Sequence, residues 1–485
     1  MRSMHRSIHH AGPGSEGHEG FFSRILTKLN SLWVAATYPF AGKGRNLSLH
    51  YASEISRCLA PHIRLGNRVK VGRHTWFHTW SHLSTEGRRE VKITIQDDCH
   101  IGARCTITAG NSIHIERDVV LATDVLVMDH AHAYEDVSRP IHAQGVTPGG
   151  KIRIGEGCRI GQGAAILCSN KGELVLGRNC VVAPGTVVTR SFPPDSQLSG
   201  NPARALRKSA VEQACVERDF VNISNGLGAV NELPHAGEAF SDSASVEGGS
   251  SDQDLINHPG DTLGEEDPLS WVSRVAGKLR TLWLARTYPF ASFAPGAWAH
   301  YSCHVARSAA PYISIGERVG LARDVRLDVS APLGTRGPVL ILDADSGLQR
   351  RCVISARNHI WVMQNVIFGP SVLVMDHARE VQDEEPRRER QERARGTIRI
   401  EEECWIGFGA VIICEQGELV IGRHSVVGAN SVVTRSIPPY SVVAGDPARI
   451  VKQYDFSAGK WVLGCIRTAA GEDRRDTVPA VSALF

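Results

Sequence analysis

Along two long stretches of the chain a branched apolar residue recurs every six positions, usually followed by glycine or another small residue. In the first stretch Leu65 leads to Val71, Ile95 to Ile101, Ile115 to Leu121, Ile154 to Ile160 and Leu176 to Val182. In the second, the same spacing runs through Ile315, Ile400 to Ile406, and Ile421 to Val427. A period of six fits neither a helix at 3.6 nor a lone strand at 2. It fits a short strand plus a corner, three of which make one triangular coil. In such a coil the branched residue points inward and stacks on its equivalents about 4.8 Å above and below. A small residue fills the fifth place, where the walls converge. Cys99, Cys105, Cys158, Cys180, Cys352 and Cys404 stand there and read as core filler, with no disulfides expected among the twelve cysteines.

A longer repeat encloses this one. LWVAATYPFA at 32–41 returns as LWLARTYPFA at 282–291, and VLVMDHA occurs at both 125–131 and 372–378. The offset falls from 250 to 247 and then 245, so small deletions separate two copies. The organisation expected is a disordered tail over 1–20, a first copy over 21–208, a flexible linker over 209–270, a second copy over 271–456 and a tail over 457–485. The linker reading rests on SDSASVEGGSSDQD at 241–254 and on charge. Residues 211–267 hold thirteen acids against Arg218 alone, a net −12, which leaves +15 on the rest of a chain whose formal charge is +3. That surplus suits a phosphate-bearing ligand and gives no reason to expect a nucleic acid partner.

Each copy opens with apolar residues at helical spacing: Phe22, Ile25, Leu26, Leu29, Leu32 and Trp33, then Val272, Val275, Leu279, Leu282 and Trp283. They read as a helix that caps the open end of a coil, with a membrane-surface or partner helix as the alternative, supported by Arg24 and Lys28. No window is long and apolar enough to span a bilayer, and His5, His9, His10 and His18 stand where a signal peptide would need an apolar core. A cytoplasmic protein without integral membrane association is expected.

The strings VVTRSFPPDSQLSGNPARALR at 187–207 and VVTRSIPPYSVVAGDPARIVK at 432–452 follow the hexads and a protruding loop, DHAHAYEDVSRPIHAQGVTPGG at 129–150. In these features the chain resembles the hexapeptide-repeat acyltransferases, in particular their sugar and exopolysaccharide O-acetyltransferase branch. The resemblance implies an all-β fold of two tandem left-handed parallel β-helices, each with a short N-terminal helix. It implies acetyl-CoA as co-substrate, a small-molecule or saccharide acceptor, and a homotrimer with the co-substrate in the groove between neighbours. Three chains, with first copies together and second copies together, are expected.

Acetyl transfer from a thioester to a hydroxyl needs a base, and histidine is the natural one near neutral pH. Aligning the hexads around the loop with the family places that histidine at His132, with His130 and His142 as rivals. Asp129, Glu135 and Asp136 are close enough in sequence to orient or charge-stabilise an imidazole. The family often supplies an Asn from the preceding coil, but IGARCTI at 101–107 has none. Arg190, Arg204 and Arg207 stand where the family's basic residues meet the phosphates of CoA. Gly161, Gly163 and Gly185 would let the pantetheine arm approach the backbone, and serve coil corners equally well.

In the second copy Asp376 and His377 match Asp129 and His130, whereas Arg379 stands at the place of His132. Arginine stays protonated and cannot act as base. With His132 as base the second copy is degenerate; with His130 as base both copies carry the equipment. Trp405 stands where the first copy has Arg159. Zinc carbonic anhydrase chemistry on this fold needs a His-x4-His pair that neither loop has, so no metal is expected. The non-enzyme alternative is a scaffold or binding protein built from degenerate copies.

Overall fold

The inward residues of the hexads stack in register. Leu65, Ile95, Ile115, Ile154 and Leu176 form one column. Val71, Ile101, Leu121, Ile160 and Val182 form the next. None of these ten is more than 3% exposed. The structure, a computed structural model, describes residues 21–79, 90–169, 172–206, 270–332, 334–377 and 396–464. The expected N-terminal tail, the linker up to residue 269, residues 465–485 of the expected C-terminal tail and most of the second copy's protruding loop, Arg379 included, lie outside the described residues.

Through the middle of each copy, strands that pair are three apart along the chain. Ser112–Ile115 pairs in parallel with Lys151–Ile154, and between them Val120–Leu121 and Leu126–Met128 join two other sheets. Each copy is therefore a three-faced parallel β-helix. Its first face includes Ile63–Leu65, its second Lys70–Val71 and its third Trp76–Thr79. The corresponding faces of the second copy include Ile313–Ile315, Gly320–Leu321 and Arg326–Val329.

The chain turns each corner by putting the residue before the fifth-place position into the left-handed region. Asp98, Arg104, Gly157, Asn179, Arg351 and Glu403, each directly before a buried cysteine, all have positive φ. Asp, Asn and Gly adopt this conformation most readily. The cysteines fill the corners as expected. Cys105 Sγ donates to Ala122 O at 3.0 Å and Cys352 Sγ to Gly369 O at 3.1 Å. Burial pushes both thiols up to about 12, which leaves them inert at neutral pH.

The two leading helices, Phe21–Thr37 and Ser270–Thr287, do cap the coils, but not with the side expected. Ser31 Oγ accepts from Leu49 N–H at 2.8 Å, Asn30 Nδ2 donates to Leu49 O at 3.1 Å, and Thr27 and Val34 are buried. Thr281 Oγ1 accepts from Ala299 N–H at 3.0 Å beside buried Leu284. The open end of a coil offers unpaired backbone groups as well as apolar surface, so hydroxyls and an amide make the contact. Ile25, Leu26, Leu29, Leu32 and Trp33 stay exposed, as do Val275, Leu279, Leu282 and Trp283.

The two copies pack against each other through unlike surfaces. Leu126, Ala165, Leu167 and Val187 on the third face of the first copy form one buried cluster with Phe408, Ala429 and Ala444 of the second. Tyr134 and Ile141 from the first copy's loop form another with Val426 and Val442 on the second copy's second face. Asn430 Nδ2 donates to Gly163 O at 2.8 Å and Gly185 O at 3.0 Å, and Asn201 Nδ2 donates back to Ala429 O at 2.8 Å. At the other end of the contact Glu54 pairs with both Arg323 and Arg350. Burial pushes the Glu54 carboxyl up, and the two guanidinium groups more than offset this, holding it below its usual range. Early coils thus meet early coils and late meet late, so the solenoids run parallel.

Within one chain, then, the first copy packs on the second. The physical reason lies in the second face. There the first copy has Arg159 and Gln197, where the second has Trp405 and Val442. The second copy also continues past 456 into an antiparallel hairpin, Arg449–Asp455 with Lys460–Leu463, which completes the wall.

Candidate functional site

The protruding loop leaves the third face directly after Met128, and its first two residues are the most tightly held. Asp129 is fully buried. Its Oδ1 accepts from Gly110 N–H at 2.6 Å and its Oδ2 from Asn111 N–H at 2.8 Å. Its Oδ1 also lies 2.9 Å from His130 Nδ1. A carboxylate only accepts, so the imidazole carries a proton on Nδ1 and its basic nitrogen is Nε2. Nε2 sits 3.4 Å from Thr108 Oγ1. Gly149, at φ +66°, closes the base of the loop, where a Cβ would fall 2.1 Å from Asp129 O.

His78 and Thr108 are register neighbours on the third face, and Thr108 neighbours Met128 in turn. Burial, then the positive fields of His130 and Arg350, pull His78 down to about 4. The Trp76 ring stacks on His78 with centroids 5.2 Å apart, and Arg350 of the second copy lies 4.6 Å over that indole. The Asp129–His130 pair, His78 and Trp76 therefore sit together at the first copy's third face, with Arg350 of the second copy against Trp76.

His132 is placed differently. Its ring packs on Trp405 of the second copy with centroids 3.9 Å apart, and its Nδ1 is buried without a hydrogen-bond partner. Burial, then the field of His130, pulls it down to about 3. No described hydrogen bond or ion pair joins it to Glu135, whose backbone carbonyl accepts from Trp461 Nε1 at 3.1 Å. Tyr134 packs edge-on to Trp461 at 5.4 Å, and its hydroxyl accepts from Lys452 Nζ at 3.3 Å. Residues 132–135 thus fasten the loop to the second copy. His142, also without a partner at Nδ1, is lowered by burial, against the opposing fields of Asp345 and Glu403.

Of the residues read as phosphate contacts, Arg190 is exposed at the end of the first copy's third face, 5.1 Å over the Phe192 ring. Arg204 lies on the first copy's second face, whereas the third face makes the contact with the second copy. Its counterpart Arg449 lies on the second face of the second copy, paired with Ala444 of the contact between copies. Arg207 lies outside the described residues. Gly161 is pressed against the next coil, where a Cβ would meet Pro184 N at 2.5 Å, and Gly163 turns its carbonyl to Asn430.

The second copy repeats the acid–histidine pair. Asp376 accepts from the N–H groups of Arg357, Asn358 and His359, each at 2.8 Å, and lies 3.0 Å from His377 Nδ1. Asp328 and Ser355 stand at the places of His78 and Thr108. Among the described residues no group of three or more His, Cys, Asp or Glu is arranged to hold a metal ion. None of the described helices is long and apolar enough to cross a membrane.

Comparison with known proteins gives matches in both halves. The family model described as the hexapeptide repeat of succinyl-transferase matches residues 92–127, 151–190 and 397–435. The chain is 29% identical over 158 residues to serine acetyltransferase of Escherichia coli K12, covering 31% of this chain and 52% of that one. It is 32% identical over 98 residues to galactoside O-acetyltransferase of Lactococcus lactis, covering 20% and 45%. A putative lipopolysaccharide biosynthesis O-acetyl transferase of E. coli K12 is 40% identical over 62 residues, covering 13% and 30%. The chain thus spans about half the length, or less, of these curated relatives. Among solved structures, an N-acyltransferase from Bacillus cereus in complex with dTDP and coenzyme A is 18% identical, with a TM-score of 0.30 over 39% of this chain and 96% of that one. The chain thus carries the hexapeptide repeat in both halves, as two parallel β-helices in tandem, and is similar in part to acetyltransferases.

Proposed function

We propose that the protein moves an acetyl group from acetyl-CoA to a hydroxyl of a sugar or glycoconjugate, in the groove between its two copies, with His130 as general base. The observation that carries this reading is the Asp129–His130 pair at 2.9 Å, buried at the root of the loop and oriented by two backbone N–H groups. His130 is put ahead of its rival His132 because Asp129 fixes its ring, whereas the His132 ring packs on Trp405 and is lowered by burial. In this reading Asp129 is the orienting carboxylate, and no described contact joins the Glu135 side chain to His130.

His130 Nε2 takes the acceptor's hydroxyl proton as that oxygen bonds to the thioester carbonyl carbon. The tetrahedral adduct collapses, the carbon–sulfur bond breaks, and the departing thiolate receives the proton from the imidazolium. Asp129 stabilises the imidazolium while it exists. Arg190 and Arg449, one from each wall of the groove, are the proposed contacts for the phosphates of CoA. The packing of the two copies on each other supports a site built within one chain.

The acceptor class follows the galactoside and lipopolysaccharide acetyltransferase relatives. Calorimetry of the full chain with acetyl-CoA, followed by a saccharide acceptor screen, tests the proposal. Binding and turnover by the natural chain, with binding but no turnover by His130→Ala, are expected. A folded chain that binds no acyl-CoA leaves the scaffold reading in its place.

A further inference from the structure

The outer sides of the two leading helices carry more exposed apolar surface than a capping role explains. Leu29, Leu32 and Leu279 are 57%, 63% and 61% exposed, and Trp33 and Trp283 are also open. On each helix the side turned to the coil is held by hydroxyl contacts and one buried aliphatic residue, so the apolar stripe is left over. Neither Phe21–Thr37 nor Ser270–Thr287 contains a single Asp or Glu. Arg24 and Lys28 flank the first stripe; Lys278 and Arg286 flank the second.

The two stripes also share one end of the molecule. The first helix lies on Leu49 and the second on Ala299, which are equivalent positions on the second faces of two solenoids that run parallel. We propose that the paired helices form a docking face for a bilayer surface bearing anionic headgroups, which seats the chain by its N-terminal coil end without crossing the membrane. An apolar stripe bordered only by cations, with a tryptophan on each helix, fits the boundary between acyl chains and anionic headgroups. A second copy of the chain fits less well, because it would set the same cations against each other.

The test is flotation of the full chain with vesicles of phosphatidylcholine alone and of equimolar phosphatidylcholine and phosphatidylglycerol. The expected result is capture by the anionic vesicles, weakened by salt. Leu29→Glu or Leu279→Glu should each reduce capture about tenfold, and the double variant should abolish it. Both side chains are exposed, and circular dichroism with an acetyl-CoA titration would show that fold and site survive. Absence of capture by either vesicle overturns the proposal. So does self-association of the natural chain that the double variant removes, which would assign the face to a second copy. Capture only after deletion of residues 211–267 overturns it too, by showing that the acidic segment covers the cations.

Discussion

Replacing Asp129 by asparagine changes one atom and tests the whole assignment of the base. Three donors converge on this fully buried carboxylate: Gly110 N–H, Asn111 N–H and His130 Nδ1–H. An amide has one accepting oxygen and one donating nitrogen. If its oxygen keeps Gly110 and His130, its nitrogen opposes the Asn111 N–H, and a buried donor is orphaned at a cost of about 1–3 kcal/mol. If it turns over, the nitrogen opposes Gly110 and donates to His130, which drives the imidazole proton to Nε2, where the base is needed. In either orientation the negative charge that stabilised the imidazolium is gone. The expected kcat loss is about 10²–10⁴-fold, with a fall in Tm of about 2–12 °C for a unit of this size. The assay is the initial rate of thiol release from acetyl-CoA with the acceptor found by screening, beside a thermal melt. Near-natural turnover by Asp129→Asn, combined with an inactive His132→Ala, would refute the reasoning and return the base to His132.

Other consequences can be measured separately. His132 and His78 are held by burial to about 3 and about 4, below the usual 6.5, so the folded chain leaves them neutral while the unfolded chain protonates them. Their contribution is fully present above about pH 6.5 and is lost as the pH falls toward 4, by up to about 1.4 kcal/mol per pH unit for each. Urea midpoints between these limits should show the slope, and His132→Gln should flatten it; an unchanged slope refutes the burial of that ring. Trp405→Ala, on the second copy, should lower kcat about tenfold with little change in the KM for acetyl-CoA, and Trp405→Phe should restore most of it. Equal rates in all three chains would mean that the second copy does not position the loop. Glu54→Gln leaves Arg323 and Arg350 facing each other and should weaken the contact between copies by about 1–3 kcal/mol, discounted for partial exposure. Small-angle scattering would register the copies parting, and an unaltered profile would count against the bridge. Arg449→Ala should weaken acetyl-CoA binding about tenfold while Arg204→Ala leaves it unchanged; calorimetry giving the reverse order would place the phosphates on the other wall.

The sequence was most legible where one physical requirement acts on every coil. The inward columns through Leu65 and Val71, and the cysteine corners, follow from a period of six and need no tertiary information. The helices were legible as helices, but their apolar residues were assigned to the wrong side, because spacing identifies a stripe and not what it faces. At Leu49 and Ala299 backbone groups had to be satisfied, and Ser31 and Thr281 took that place. Within the loop, position alone could not separate His130 from His132. The difference lies in Gly110 and Asn111, whose N–H groups fix Asp129, and in Trp405, 273 residues further along the chain. Trp405 was noticeable as the counterpart of Arg159, but its role emerges only when unlike faces meet. The hairpin past 456 has no partner in the first copy, so the repeat could not announce it.

Because the first copy gives its third face and the second copy receives with its second, the contact has a direction. A directional contact repeated from molecule to molecule closes into a ring or grows without limit. The second copy still has a giving face, with Leu373, Val411 and Val432 pointing outward on strands equivalent to those buried in the first. The first copy's outer wall, which would have to receive it, holds Arg159 tied to Asp118 in place of an indole. A guanidinium there opposes the burial that such growth would require. A chain with Arg159→Trp is the one whose solutions should scatter light.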